Sequence, residues 1–77
     1  MVKATFSGTG NAHGEAKCPD GSHAISGGVD SGNDHAYVVA SRPTSDGKGW
    51  HGNVSKYRDG NFGENITGTV YAMCQAD

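Results

Sequence analysis

The stretch ITGTVYAMC, residues 66 to 74, alternates without a break: Ile66, Gly68, Val70, Ala72 and Cys74 fall on one face, and Thr67, Thr69 and Tyr71 on the other. A two-residue period is that of a strand with one dry and one wet face. The same period recurs at the other end of the chain. VKATFSG, residues 2 to 8, sets Val2, Ala4 and Phe6 against Lys3, Thr5 and Ser7, and NAHGEAKC, residues 11 to 18, sets Ala12, Gly14, Ala16 and Cys18 against Asn11, His13, Glu15 and Lys17. The inward residues of this second run are small, so a bulky side chain or a second backbone is expected to pack over them.

Between these ends the turn residues mark out the remaining strands. Thr9-Gly10-Asn11 reads as a hairpin turn between the first two runs, and Pro19-Asp20-Gly21 as a second turn. HAISGGV (23–29) is a strand whose Gly27-Gly28 pair marks a bulge or a close backbone approach. DSGND (30–34) is a loop, and HAYVVAS (35–41) is the most β-prone segment, closed by Pro43, which cannot donate to a ladder. TSDGKG (44–49) is a turn, WHGNVSKY (50–57) a strand and RDGNFGEN (58–65) a glycine-rich loop. No helix, linker or long repeat is legible.

The composition agrees with an all-β reading. Of 77 residues 34% are hydrophobic and 13 are glycine; there are six Val and two Ile but no Leu, the strongest helix former among the aliphatics. The expected object is one domain, residues 1–77, a small antiparallel β-sandwich or barrel of about six short strands. A chain of this size buries only ~60% of the surface its unfolded form exposes, so a cross-link would count heavily. The two cysteines, Cys18 and Cys74, both end inward-facing rows and lack a C-x-x-C spacing. They read as a structural disulfide more readily than as a metal or redox site, the alternative being two unrelated buried thiols. A disulfide implies an oxidising compartment and hence a secreted, extracellular protein. MVKATFSGTG lacks the apolar core of a signal peptide, so Met1 is read either as a start placed before a mature domain or as that of an intracellular protein with free thiols.

CPDG, ISGGV, ASRP, DGKGW, Asn53 and VYAMC, in that order, resemble a small module of secreted actinobacterial proteins with the pattern C-P-x-G, G-G-G, S-x-P, G-W, N, Y-A-x-C. The likeness spans residues 18 to 74. This chain has two glycines where the pattern has three, and an additional stretch over residues 2 to 17. The resemblance implies secretion from a bacterium and the Cys18–Cys74 bridge; it implies no activity.

Several chemistries are disfavoured. A net charge of −2 with six scattered Lys and Arg gives no footprint for nucleic acid or for an anionic membrane, and no run approaches the ~20 apolar residues of a membrane-spanning helix. His13, His23, His35 and His51 are never closer than ten positions, unlike the close pairs of zinc sites. Asp30, Asp34, Asp59, Asn61 and Glu64 lie among glycines but miss the ligand spacing of a calcium loop. No G-x-S-x-G, H-E-x-x-H or phosphate-binding loop occurs, and a Glu15–Glu64 carboxylate pair would have no deep cleft to work in, so no enzyme, metal or cofactor is expected. Asn53-Val54-Ser55 and Asn65-Ile66-Thr67 match the glycosylation acceptor pattern and are expected to be unmodified in a bacterial protein.

What remains is a non-enzymatic binding module. Trp50 is expected as the plug over small core residues, whereas Tyr37, Tyr57 and Phe62 are candidates for exposure. Alternation puts Trp50, Gly52 and Val54 inward and His51, Asn53, Ser55 and Tyr57 outward. If RDGNFGEN joins a hairpin, Thr67, Thr69 and Tyr71 share that wet side. The expected ligand platform is therefore Tyr57, His51, Asn53 and Tyr71, its ligand a glycan or cell surface. The rivals are a secreted inhibitor or toxin presenting the rigid loop RPTSDGKGW (42–50), and a structural unit of a larger assembly.

Overall fold

A computed structural model describes residues 1–32, 36–56 and 65–77, and builds them as six strands: β1 Val2–Thr9, β2 Asn11–Lys17, β3 Ser22–Ser31, β4 Ala36–Pro43, β5 Gly49–Lys56 and β6 Asn65–Ala76. Two antiparallel three-stranded sheets form, in the order β1-β6-β3 and β2-β5-β4. The domain is a small β-sandwich. The two central strands, β5 and β6, face each other across its middle; β1 packs over β2 on one side, and β3 over β4 on the other.

This topology corrects two expected hairpins. Thr9-Gly10-Asn11 does not turn one strand back beside the other; it is a corner at which the chain leaves the β6 sheet and enters the β5 sheet. Gly10 takes φ 75°, the left-handed region a side chain disfavours, and its carbonyl accepts the Lys56 N–H at 3.0 Å. The second correction concerns β5 and β6, which lie in opposite sheets, so the segment between them joins no hairpin; its residues 57–64 lie outside the described residues. The physical reason is burial. Facing one another, β5 and β6 exclude water entirely from Val54, Ile66, Val70 and Ala72, which side-by-side pairing would leave half covered.

The inward rows are those the alternation indicates. Phe6 supplies the bulk that the small residues of β2 require: a methyl group built on Gly14 would come within 3.0 Å of its ring, and one on Gly68 within 2.6 Å. Phe6 and Val29 touch both halves of the core. At the far end Cys18, just past β2, bonds to Cys74 of β6, joining the two sheets with Cα atoms 5.8 Å apart.

Gly27 and Gly28 mark close approach rather than a bulge. The indole of Trp50 lies against Gly27 and the phenol of Tyr71 against Gly28, while the register slip occurs just before them, at Ile25 between Ala24 and Ser26. A matching slip occurs in β4 at Val39. Trp50 is the expected plug, half-buried, with Nε1 donating to Ser41 Oγ at 2.9 Å. The inward row of β5 continues to Lys56, which is buried. Among the described residues there is no helix, and so none long and apolar enough to cross a membrane.

Candidate functional site

The outer face of the β2-β5-β4 sheet carries a dense set of polar side chains. Because opposed residues point the same way, the register fixes three ranks across it: Glu15, His51 and Arg42; His13, Asn53 and Ala40; Asn11, Ser55 and Tyr37. Asn11 Nδ2 donates to Asn53 Oδ1 at 2.9 Å, which orients both amides along the surface. His51 Nδ1 stands 3.6 Å from Glu15 Oε2, and the rings of His13 and His51 are 6.2 Å apart between centroids. Tyr37 is 42% exposed and Val39, at the bulge beside this face, 52%. The result is an open platform of amides, imidazoles, a carboxylate and a guanidinium with an aromatic ring at one corner.

Of the residues expected to bind ligand, His51 and Asn53 lie on this platform. Tyr57 lies outside the described residues. Tyr71 does not belong to the group: β6 is in the other sheet, so Tyr71 faces the opposite side of the sandwich, half-buried, with its hydroxyl end over Gly28. Thr67 and Thr69 share that opposite side, and Thr69 is flanked by Thr5 and Asp30. The residues that replace Tyr71 beside Asn53 are Asn11 and Tyr37, with His13, Glu15 and Arg42. The outward direction of Asn11, His13, Glu15 and Tyr37 was legible from alternation within their own strands; that of Arg42, which the slip at Val39 brings to the face of Tyr37, was not, and neither was their adjacency to β5.

The remaining candidates disperse. His23 Nδ1 pairs with Asp77 Oδ1 at 2.7 Å, away from His13 and His51. His35, Asp34, Asp59, Asn61, Phe62 and Glu64 lie outside the described residues, and so therefore does one half of the imagined Glu15–Glu64 pair. Among the described residues no three His, Cys, Asp or Glu side chains converge on a point that would hold a metal ion.

The β4–β5 connection is a second notable feature. Thr44 N–H bonds to the Gly49 carbonyl at 3.0 Å and Gly47 N–H to the Thr44 carbonyl at 2.9 Å, with Gly47 at φ 74°. Asp46 Oδ1 accepts from Thr44 Oγ1 at 2.6 Å and from Lys48 N–H at 2.9 Å. These two donors, the hydroxyl first, hold the Asp46 carboxyl below the usual carboxylate range. The turn is also tied to the body: Gly47 O accepts from Ala24 N–H at 3.0 Å and Lys48 O from Cys18 N–H at 2.8 Å, next to the disulfide.

Comparison with family models, with curated proteins and with solved structures gives no match to this chain, so its functional reading rests on its own geometry.

Proposed function

We propose that this is an extracellular, non-enzymatic binding module that holds a glycan or a glycan-bearing cell surface on the outer face of the β2-β5-β4 sheet. One observation carries the reading: an exposed tyrosine shares one sheet face with two hydrogen-bonded asparagines, two histidines and a glutamate. A sugar ring has an apolar C–H face and a rim of hydroxyls. A phenol ring matches the first, and amides that donate and accept, with a carboxylate that accepts, match the second. The openness of the platform suits a chain lying across it better than a small molecule enclosed in a pocket. The Cys18–Cys74 bridge supports an oxidising, extracellular setting, and the likeness to the secreted actinobacterial module points the same way.

The test is a glycan array probed with the intact chain, followed by the same array with Tyr37→Ala. Capture of a defined glycan class that Tyr37→Ala abolishes, with the melting temperature unchanged, supports the reading; no capture, or capture indifferent to Tyr37, overturns it.

One observation favours the inhibitor alternative. The 44–48 turn is bonded internally and anchored to the disulfide end of the sandwich, the rigidity a protein-binding loop needs. A protease panel run beside the array separates the two, because inhibition lost on Lys48→Ala would place the function in the turn.

A further inference from the structure

Four strands border the sandwich, and they are not alike. On one side β3 and β4 each carry a register slip with a large apolar residue at it, Ile25 and Val39. Bulges of this kind turn an edge away from further pairing. On the other side β1 and β2 run in uninterrupted register, Val2 to Thr9 against β6 and Asn11 to Lys17 against β5, with no proline and no slip. Such an edge is a template for another strand.

We propose that the β1 and β2 edges together are the interface of a homodimer, in which a second copy of this chain extends both sheets about one two-fold axis normal to them. The axis passes at Thr5 in one sheet and Gly14 in the other. Antiparallel pairing about Thr5 sets Lys3 against Ser7 of the second copy, Ala4 against Phe6 and Val2 against Gly8. Pairing about Gly14 sets Ala12 against Ala16, His13 against Glu15 and Asn11 against Lys17. In both sheets every inward residue meets an inward residue and every outward one an outward one, so the core and the wet faces continue across the junction.

The two centres coincide in the fold. Gly14 sits under the ring of Phe6, and its neighbour Gly52 sits on Val70, the partner of Ala4. Thr5 lies between Ala4 and Phe6, so a single axis serves both sheets. The edge is also self-complementary in charge: the outward carboxylate of Glu15 meets an imidazole, each lysine meets a neutral residue, and no like charges are opposed. Phe6, only half-buried at the edge, meets the small Ala4 of the second copy, while the glycine and alanines of β2 let the β2-β5-β4 sheet close. The pairing is isologous and the opposite edges are bulged, so assembly stops at two. It would also make the β2-β5-β4 face continuous with its copy, doubling the ligand platform; nothing in the dimer depends on what that platform binds.

Light scattering on the eluting full chain, over a concentration series, should give twice the 7.9 kDa monomer mass at the upper end. Thr5→Lys places two ammonium groups opposite each other at the axis and should give monomer with the β circular dichroism spectrum retained. Glu15→Lys should also give monomer, because it removes the carboxylate that the imidazole meets and brings the two introduced ammonium groups diagonally across the axis, whereas Glu15→Lys combined with His13→Glu, which places opposite charges in the pair, should recover the dimer. Val39→Lys, on the bulged edge, should leave the mass unchanged. A monomer at every concentration, open-ended growth, failure of the charge swap to rescue, or loss of the dimer on Val39→Lys would overturn the proposal.

Discussion

Trp50 of β5 lies against Gly27 of β3, so close that a methyl group built on the glycine would fall 2.3 Å from the indole and 2.6 Å from the Tyr71 carbonyl oxygen. The two residues belong to opposite sheets, and the absent side chain is what lets the indole pack this closely against β3. Gly27→Ala should therefore destabilise by overpacking, by about 1–3 kcal/mol. Denaturant unfolding monitored by Trp50 fluorescence measures this directly. An unchanged midpoint would show that the indole can withdraw without loss.

The disulfide should carry a large share of the stability. Cys18 and Cys74 are 56 positions apart and tie the β5 sheet to the β6 sheet at the end remote from the Gly10 corner. On the chain-entropy model such a cross-link contributes about 4 kcal/mol. For a domain of this size that loss lowers the melting temperature by roughly 15 to 30 °C. Thermal melts with and without reductant, or of Cys18→Ser with Cys74→Ser, read the shift. A fall of only a few degrees would mean that the core stands without its cross-link.

The 44–48 turn makes a prediction about acid. The folded-state pKa of Asp46 is lowered by the Thr44 hydroxyl and the Lys48 N–H. Its contribution is therefore fully present above the unfolded-state value and lost as pH falls through the folded one. Asp46→Ala should lower the melting temperature at neutral pH, and the gap from the parent chain should close progressively in acid below the ordinary carboxylate range. Paired melts across a pH series test this, and a gap independent of pH would remove the carboxylate from the account. Because Asp46 is solvent-exposed, the effect should be small.

Alternation made the strand boundaries and inward faces legible, because a two-residue period reports only on one strand and its nearest face. Ala12, Ala16, Val54, Ile66, Val70 and Ala72 were all readable as core for that reason. Whether the next strand lies beside or across was not readable, because both arrangements send the same row inward. The hairpin expected at Gly10 and the grouping of Tyr71 with His51 both failed at that step. Bulge positions were equally hidden: the residues at the slips, Ile25 and Val39, are ordinary strand formers, and the slips follow from pairing with β6 and β5. The candidate platform was legible strand by strand except at Arg42, which the slip at Val39 moves to the face of Tyr37, and its composition depends on β2 and β4 flanking β5.

That distinction yields the sharpest test of where ligand binds. Asn53 and Tyr37 lie on the outer face of the β5 sheet, and the Asn11–Asn53 hydrogen bond is exposed, so Asn53→Ala and Tyr37→Ala should change stability by less than about 0.5 kcal/mol while abolishing glycan capture. Tyr71 lies on the other side with its ring end over Gly28, so Tyr71→Ala uncovers backbone and should lower the melting temperature while capture persists at temperatures where the chain is folded. The two outcomes are opposite, and thermal melts beside array binding read both on the same variants. Capture that survives Asn53→Ala and Tyr37→Ala but is lost in folded Tyr71→Ala would move the site to the β6 sheet, onto the face that Thr5, Thr67 and Thr69 share with Tyr71.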